Sequence, residues 1–182
     1  LRLDRRTYAF LKIADGCNHR CTFCAIPLMK GRLRSVPRGI LLDEARALID
    51  SGTHELVLIA QDTSDYGRDL YRRYRLPDLL EDLLRLEGDF WVRLLYLYPG
   101  GLNEPLIEIL AGHPKMCPYV DMPLQHLDVE VLRRMRRPWP HLDVARLVER
   151  LRGRVPDLAL RTTMMVGFPG EDRRAFQQLL DG

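Results

Sequence analysis

Charge of one sign is scarce in this chain: 28 lysines and arginines stand against 25 aspartates and glutamates, a net charge of +3 over 182 residues. A surface so close to neutral does not by itself argue for a nucleic-acid partner. Long apolar runs are missing too, and none approaches the ~20 residues needed to cross a bilayer. No secretory leader is apparent, so a cytoplasmic setting with reduced thiols is expected. There are no internal repeats and no low-complexity tracts. What remains is an ordinary globular composition, 46% hydrophobic, at a length that suits one domain with a sizeable core.

Cysteine is sparse as well, four in all, yet three of them fall within eight residues: Cys17-Asn18-His19-Arg20-Cys21-Thr22-Phe23-Cys24. Thiols spaced CxxxCxxC can converge on one metal centre without help from distant parts of the chain. Iron–sulfur clusters are usually held by four thiolates. Three ligands on a four-iron cluster leave one iron open to something else. Zinc is the competing reading, but structural zinc wants four ligands, commonly two separated pairs. No second CxxC or HxxxH occurs, and His19 is wedged between two of the cysteines. A disulfide framework fits less well, since the remaining thiol, Cys117, is far away and reads as a buried small hydrophobe before Pro118.

The rest of the chain alternates between two periodicities. Tyr8 to Ala14 is an apolar run of strand length before the cysteine loop. A polar connector, Lys30 to Pro37, leads to helical spacing over 39–51. Leu56-Val57-Leu58-Ile59-Ala60 is continuously apolar, as in a strand covered on both faces. A long polar loop is expected over 61–76, then a helix from Pro77 carrying Leu79, Leu80, Leu83, Leu84 and Leu86. Trp91 to Leu97 is the third strand, stopped by Pro99-Gly100-Gly101, and Asn103 caps the next helix with Pro105 in its first turn. Tyr119 to Met122 is the fourth strand and Asp128 caps a helix through Met135, broken by Pro138-Trp139-Pro140. Asp143 starts another helix, Leu158 to Val166 is the fifth strand, and Glu171 opens the last helical segment. Strand then helix, five times over, predicts an α/β fold with parallel strands in crossover units, a partial (β/α) barrel.

In such folds the active site gathers at the carboxyl ends of the strands. The segments there are the cysteine loop, Gln61-Asp62-Thr63-Ser64-Asp65-Tyr66-Gly67, Tyr98-Pro99-Gly100, Pro123-Leu124-Gln125-His126 and Gly167-Phe168-Pro169-Gly170-Glu171. Each has an ordinary reading as loop punctuation or a cap, but all would face one mouth. An open iron at that mouth could chelate a molecule through an amine and a carboxylate, the groups at the methionine end of S-adenosylmethionine.

CxxxCxxC with Phe23 before the last cysteine, on the first loop of a partial barrel, resembles the radical S-adenosylmethionine superfamily. Lys12-Ile13-Ala14-Asp15-Gly16-Cys17 through Cys24 and Val166-Gly167-Phe168-Pro169-Gly170-Glu171 are similar to the methylthiotransferases within it. Gln61 to Gly67, Met122-Pro123-Leu124-Gln125-His126 and Met135-Arg136-Arg137-Pro138 resemble the branch that modifies a ribosomal protein rather than the transfer-RNA branch. The resemblance implies a transferase that methylthiolates the β-carbon of an aspartate in the twelfth small-subunit ribosomal protein. A 5′-deoxyadenosyl radical would take hydrogen, sulfur would be inserted, and a second S-adenosylmethionine would give the methyl. It implies that Cys17, Cys21 and Cys24 ligate one 4Fe-4S cluster. By the same resemblance Gln61, Asp62 and Thr63 lie where the methionine amino group is held, with Gln125 and Arg161 as ribose and carboxylate contacts.

The family also carries an amino-terminal domain with a second 4Fe-4S cluster and a carboxyl-terminal β-domain, and nothing here supplies either. Residues 1–182 are therefore expected to be a radical S-adenosylmethionine core with five of about six units, from a longer protein. The expected partner is the ribosomal protein or the ribosome, with no membrane and no direct nucleic-acid contact. Two basic stretches, Lys30 to Arg38 and Arg133 to Arg137, read first as solvated faces and could touch an acidic or nucleic-acid partner. Thiomethylation of adenosine in transfer RNA, and a zinc-held ribosome-binding module without catalysis, are the alternative readings.

Overall fold

The structure, a computed structural model, describes residues 7–137 and 143–182. Its first sheet is parallel, with strand β4 (Glu55–Ile59) between β1 (Tyr8–Lys12) and β5 (Trp91–Leu94). Two two-residue strands, β2 (Ala14–Asp15) and β3 (Arg34–Ser35), pair antiparallel and pinch off the cysteine loop. Strands β6 (Tyr119–Asp121) and β7 (Ala159–Arg161) form a second parallel pair. A parallel bridge from Val92 to Met116 and the Leu97 N–H donating to the Asp121 carbonyl at 2.8 Å set β6 beside β5. The strands thus run in one arc in chain order.

Register explains the layering. Leu11, Leu58 and Leu94 align across the sheet, as do Leu56 and Val92, and all are fully buried. Their common face packs on helices. Phe10, Val57 and Arg93 align on the other face, where Phe10 is about half exposed. Val57, in the middle strand, is buried on that face as well, so β4 is covered on both faces as its continuous apolar run predicts, while β5 keeps the period-2 alternation.

Parallel neighbours need a crossover connection. Helices α2 (Arg38–Asp50), α4 (Leu76–Leu84), α5 (Glu104–Gly112) and α7 (Val144–Arg154) supply it and pack in a row against the buried face. Helix α4 buries Leu76, Leu79, Leu80, Leu83 and Leu84, a continuous apolar stripe. Side-chain caps start α5 (Asn103), α6 (Val129–Arg134; Asp128), α7 (Asp143) and α8 (Arg173–Asp181; Asp172), each satisfying N–H groups that the first turn leaves open. One helical layer on a curved, mostly parallel sheet is the partial (β/α) barrel the alternation predicts.

Four expectations need correcting. The loop over 61–76 contains a helix, α3 (Arg68–Tyr71), too short to show a periodic stripe. Strand β5 ends at Leu94, not Leu97, because Tyr96 turns left-handed at φ +58°. Strand β7 ends at Arg161, not Val166, because the Thr162 hydroxyl takes over the ladder. It donates to the Met122 carbonyl at 2.9 Å and accepts from the Leu124 N–H at 3.2 Å. Pairing resumes one step later at Gln125–Met164, as at a bulge. Cys117 is half-buried rather than buried, at the amino-terminal end of β6 and away from the other three thiols. The expected break at Pro138-Trp139-Pro140 lies outside the described residues.

Candidate metal centre

The cysteine loop leaves β2 through Gly16. Its backbone is left-handed at φ +74°, and a Cβ there would lie 2.2 Å from the Arg32 carbonyl oxygen, so the returning chain closes over it. The Cys17 N–H donates to the Gly31 carbonyl at 3.1 Å, the Leu33 N–H to Asn18 Oδ1 at 3.3 Å, and the Cys24 N–H to the Cys21 carbonyl at 3.1 Å. Helix α1 (Ile26–Lys30), with Pro27 in its first turn, completes the loop. Far along the chain, the end of α6 holds it from the other side. Thr22 donates its N–H to the Met135 carbonyl at 3.1 Å and its hydroxyl to the Arg134 carbonyl at 3.0 Å.

All three thiols open onto one cavity of about 340 Å³, together with His19, Gln61, Tyr98 and the apolar Ile26, Pro27 and Ala60. Cys21 is buried; Cys17 and Cys24 are half-buried. Burial pushes the Cys17 thiol up to about 11, so binding a metal there must release a proton from its Sγ. His19, Asp62 and Asp65 offer ligand atoms within 4.8 Å of one another.

His19 does not complete a four-ligand set. Its Nε2 lies 2.8 Å from Asp62 Oδ2, and its ring stacks on Tyr98 with centroids 4.2 Å apart and planes 6° from parallel. Asp62 is held further by the N–H and hydroxyl of Ser64. Burial, and then the neighbouring Asp62 charge, raise the carboxyl of Asp65 above the ordinary range.

The five predicted cofactor contacts separate. Gln61 faces the cavity, and its Oε1 is buried without a hydrogen-bond partner. Asp62 lines a neighbouring cavity on the far side of His19 and Tyr98. Thr63 is fully buried, and its hydroxyl donates to the Leu95 and Tyr96 carbonyls at 2.8 and 3.2 Å. Gln125 and Arg161 are not among the residues lining the thiol cavity. Gln125 is left-handed at φ +73° and bridges to Met164; Arg161 is exposed and 3.3 Å from Asp121. The fourth and fifth edges join each other instead. Buried His126 lies 3.4 Å from Glu171, whose other oxygen accepts from the Gly167 and Phe168 N–H groups.

Sequence reasoning missed Arg137. The run Arg133 to Arg137 reads as one solvated segment, but Arg133 is half-exposed while Arg137 is 5% exposed. The guanidinium lies against the ring of Tyr98 and beside Cys21. Its place immediately before the Pro138 break was the available signal.

Three soft donors sharing a cavity, with an orphaned amide oxygen opposite, define a cofactor site at the carboxyl ends of a parallel sheet. The chain belongs to the Radical SAM superfamily, whose description matches residues 11–181. Within it, the chain is 51% identical over 178 residues to the ribosomal protein uS12 methylthiotransferase RimO of Moorella thermoacetica, covering 98% of this chain and 41% of that protein. It is 47% identical to the protein of that name from Aquifex aeolicus, covering 96% and 40% respectively. The chain therefore spans about two fifths of the length of these curated relatives. Among solved structures, the radical S-adenosylmethionine methyltransferase TsrM from Kitasatospora setae, with cobalamin and a [4Fe-4S] cluster bound, superposes with a TM-score of 0.75. Identity is 19%, over 96% of this chain and 34% of that one, a likeness of fold.

Proposed function

We propose that residues 1–182 are the catalytic core of a longer radical S-adenosylmethionine methylthiotransferase. It acts on the β-carbon of an aspartate in the twelfth small-subunit ribosomal protein, in the cytoplasm. The observation that carries this reading is the shared cavity of Cys17, Cys21, Cys24 and the partnerless Gln61 oxygen, in a chain about half identical to proteins named for that activity. The amino-terminal second-cluster domain and the carboxyl-terminal β-domain belong to the remainder of the longer protein. No helix among the described residues is long and apolar enough to cross a membrane.

The three cysteines would hold a 4Fe-4S cluster through their Sγ atoms, giving up their thiol protons on binding it. When bound, that group supplies one-electron reductive cleavage of a sulfonium carbon–sulfur bond. Gln61 Oε1 accepts from the amino group of the S-adenosylmethionine methionine moiety, which gives a buried acceptor the donor it lacks. Ile26, Pro27 and Ala60 keep water from the cavity floor. Asp62 acts at one remove, fixing the His19 ring and through it the backbone between Cys17 and Cys21. Thr63 fixes the strand edge from which Gln61 projects.

Anaerobic reconstitution tests this reading. The expected result is about four irons with matching sulfide bound by Cys17, Cys21 and Cys24, release of 5′-deoxyadenosine from S-adenosylmethionine under reduction, and loss of both in Cys21→Ser. With the full-length protein, a methylthio mass gain should appear on the ribosomal protein. One zinc and no iron, or a mass gain on transfer RNA alone, overturns it.

A further inference from the structure

The strongest unassigned feature is a buried cation against one of the three thiols. Arg137 Nη1 donates to Tyr98 Oη at 2.7 Å and lies 3.6 Å from Cys21 Sγ, while Nη2 donates to the Pro123 carbonyl at 2.6 Å. The guanidinium carbon is 4.5 Å from the centre of the Tyr98 ring, whose other contacts include the stacked His19. Arg137 and Cys21 are 5% and 8% exposed. A guanidinium keeps its charge when buried. Cys21 Sγ is among its neighbours, and a cysteine ligates metal as the thiolate.

The backbone is bent to bring this about. The Arg137 N–H donates to the Leu132 carbonyl at 2.9 Å and the Arg136 N–H to the Arg133 carbonyl at 2.9 Å. That pair of bonds closes helix α6 in a Schellman cap, with Arg136 at the left-handed position, φ +54°. Glycine usually stands there; a side-chain-bearing residue costs about 1–2 kcal/mol. The turn aims Arg137 back at the cysteine loop, next to the Arg134 and Met135 carbonyls that hold Thr22. Strain accepted at a turn that delivers one side chain to one ligand is the pattern of a functional constraint.

We propose that Arg137 is a positioning residue for the cluster. Its guanidinium, held by Tyr98 and Pro123, donates an N–H to the Cys21 sulfur and raises the reduction potential of the group that Cys21 ligates. Reduction adds negative charge, and a fixed cation with an N–H on the ligand sulfur stabilises the reduced form more than the oxidised one. Burial strengthens the effect by lowering the local dielectric. Tyr98 contributes by orientation, its hydroxyl fixing Nη1 while the stacked His19 holds its ring.

This inference rests on the cluster assignment above, and the two are tested by different readouts. Iron and sulfide content of the reconstituted parent protein tests the assignment. The midpoint potential, from an EPR-monitored redox titration, tests the role of Arg137. Arg137→Met at equal iron content is expected to lower the potential so that the reduced-to-oxidised ratio at a fixed potential falls about tenfold, roughly 59 mV for a one-electron couple. An unchanged or raised potential overturns the proposal while leaving the cluster assignment standing. Because truncating a buried cation can unfold a protein, the parent provides a second measurement. With ¹⁵N-arginine incorporated, pulsed EPR of the reduced cluster should show a ¹⁵N coupling that disappears in Arg137→Lys. Absence of that coupling in the parent overturns the proposal by itself.

Discussion

Gln61 and Thr63 leave the same strand two positions apart, and they should answer substitution in opposite ways. The buried Gln61 oxygen has no partner, and such a group costs about 1–3 kcal/mol. Gln61→Leu should therefore keep or raise the melting temperature while weakening S-adenosylmethionine binding about tenfold or more, the equivalent of ~1.4 kcal/mol, read by calorimetry on the cluster-loaded protein. Thr63→Val removes a hydroxyl that serves two backbone carbonyls. It should lower stability by about 1–2 kcal/mol in denaturant titration and leave the affinity of the folded fraction within about twofold, roughly 0.4 kcal/mol. Sequence alone groups the two residues, because both belong to one family-like word. What separates them is the turn at Tyr96, whose carbonyl faces Thr63 and whose position is set by Asp121 accepting its N–H at 3.2 Å. The cysteines were legible because ligand spacing is local. Arg137 was not, because its burial is decided by Tyr98 and Pro123, remote in the chain.

At the scale of elements, the missed helix α3 gives the clearest test. It carries Asp69, whose carboxylate accepts from both the N–H and the hydroxyl of Ser35 on β3, at 2.9 and 2.6 Å. Burial alone would raise the Asp69 carboxyl, but the two Ser35 donors and nearby backbone N–H groups overcome it and hold it below the ordinary value. A carboxyl with a folded pKa below its unfolded value of about 3.9 stabilises the fold above that value. The contribution disappears as the pH falls through the lowered folded value. Asp69→Ala should cost about 1–2 kcal/mol at pH 7, discounted for partial exposure, and in urea titrations the gap to the parent should narrow only as the pH falls below the unfolded value of about 3.9. Helices with a broad apolar stripe and a capping residue were readable in advance: α4 by its leucines, α5 by Asn103 and α7 by Asp143. A one-turn helix has no period to detect. Nor does composition reveal that a threonine hydroxyl will replace a rung of the ladder, which is what shortens β7.

Across the whole molecule the sheet is unevenly built. The pairs β1–β4 and β4–β5 run over five and four residues with a buried helical face, whereas β6–β7 pairs over three residues and β7 is largely exposed. Opening free energies follow such differences in burial and pairing. Native-state hydrogen exchange should find the amides of β4 most protected and those of β7 exchanging through a lower-energy, local opening; equal protection in both would contradict this. The arc in chain order was foreseeable from the alternation of strands and helices, but this gradient was not, since it depends on where each strand stops.

The grip of α6 on the cysteine loop has a consequence for how the protein is made. Thr22 and the Arg134 carbonyl that holds it are 112 residues apart, so at ~5–20 residues per second roughly 6–22 s of translation separates them. Throughout that interval the nascent trio of thiols hangs without its second wall. Metal delivery during synthesis would meet an unlatched loop, and arrival of the later segment would then fasten the cargo in place.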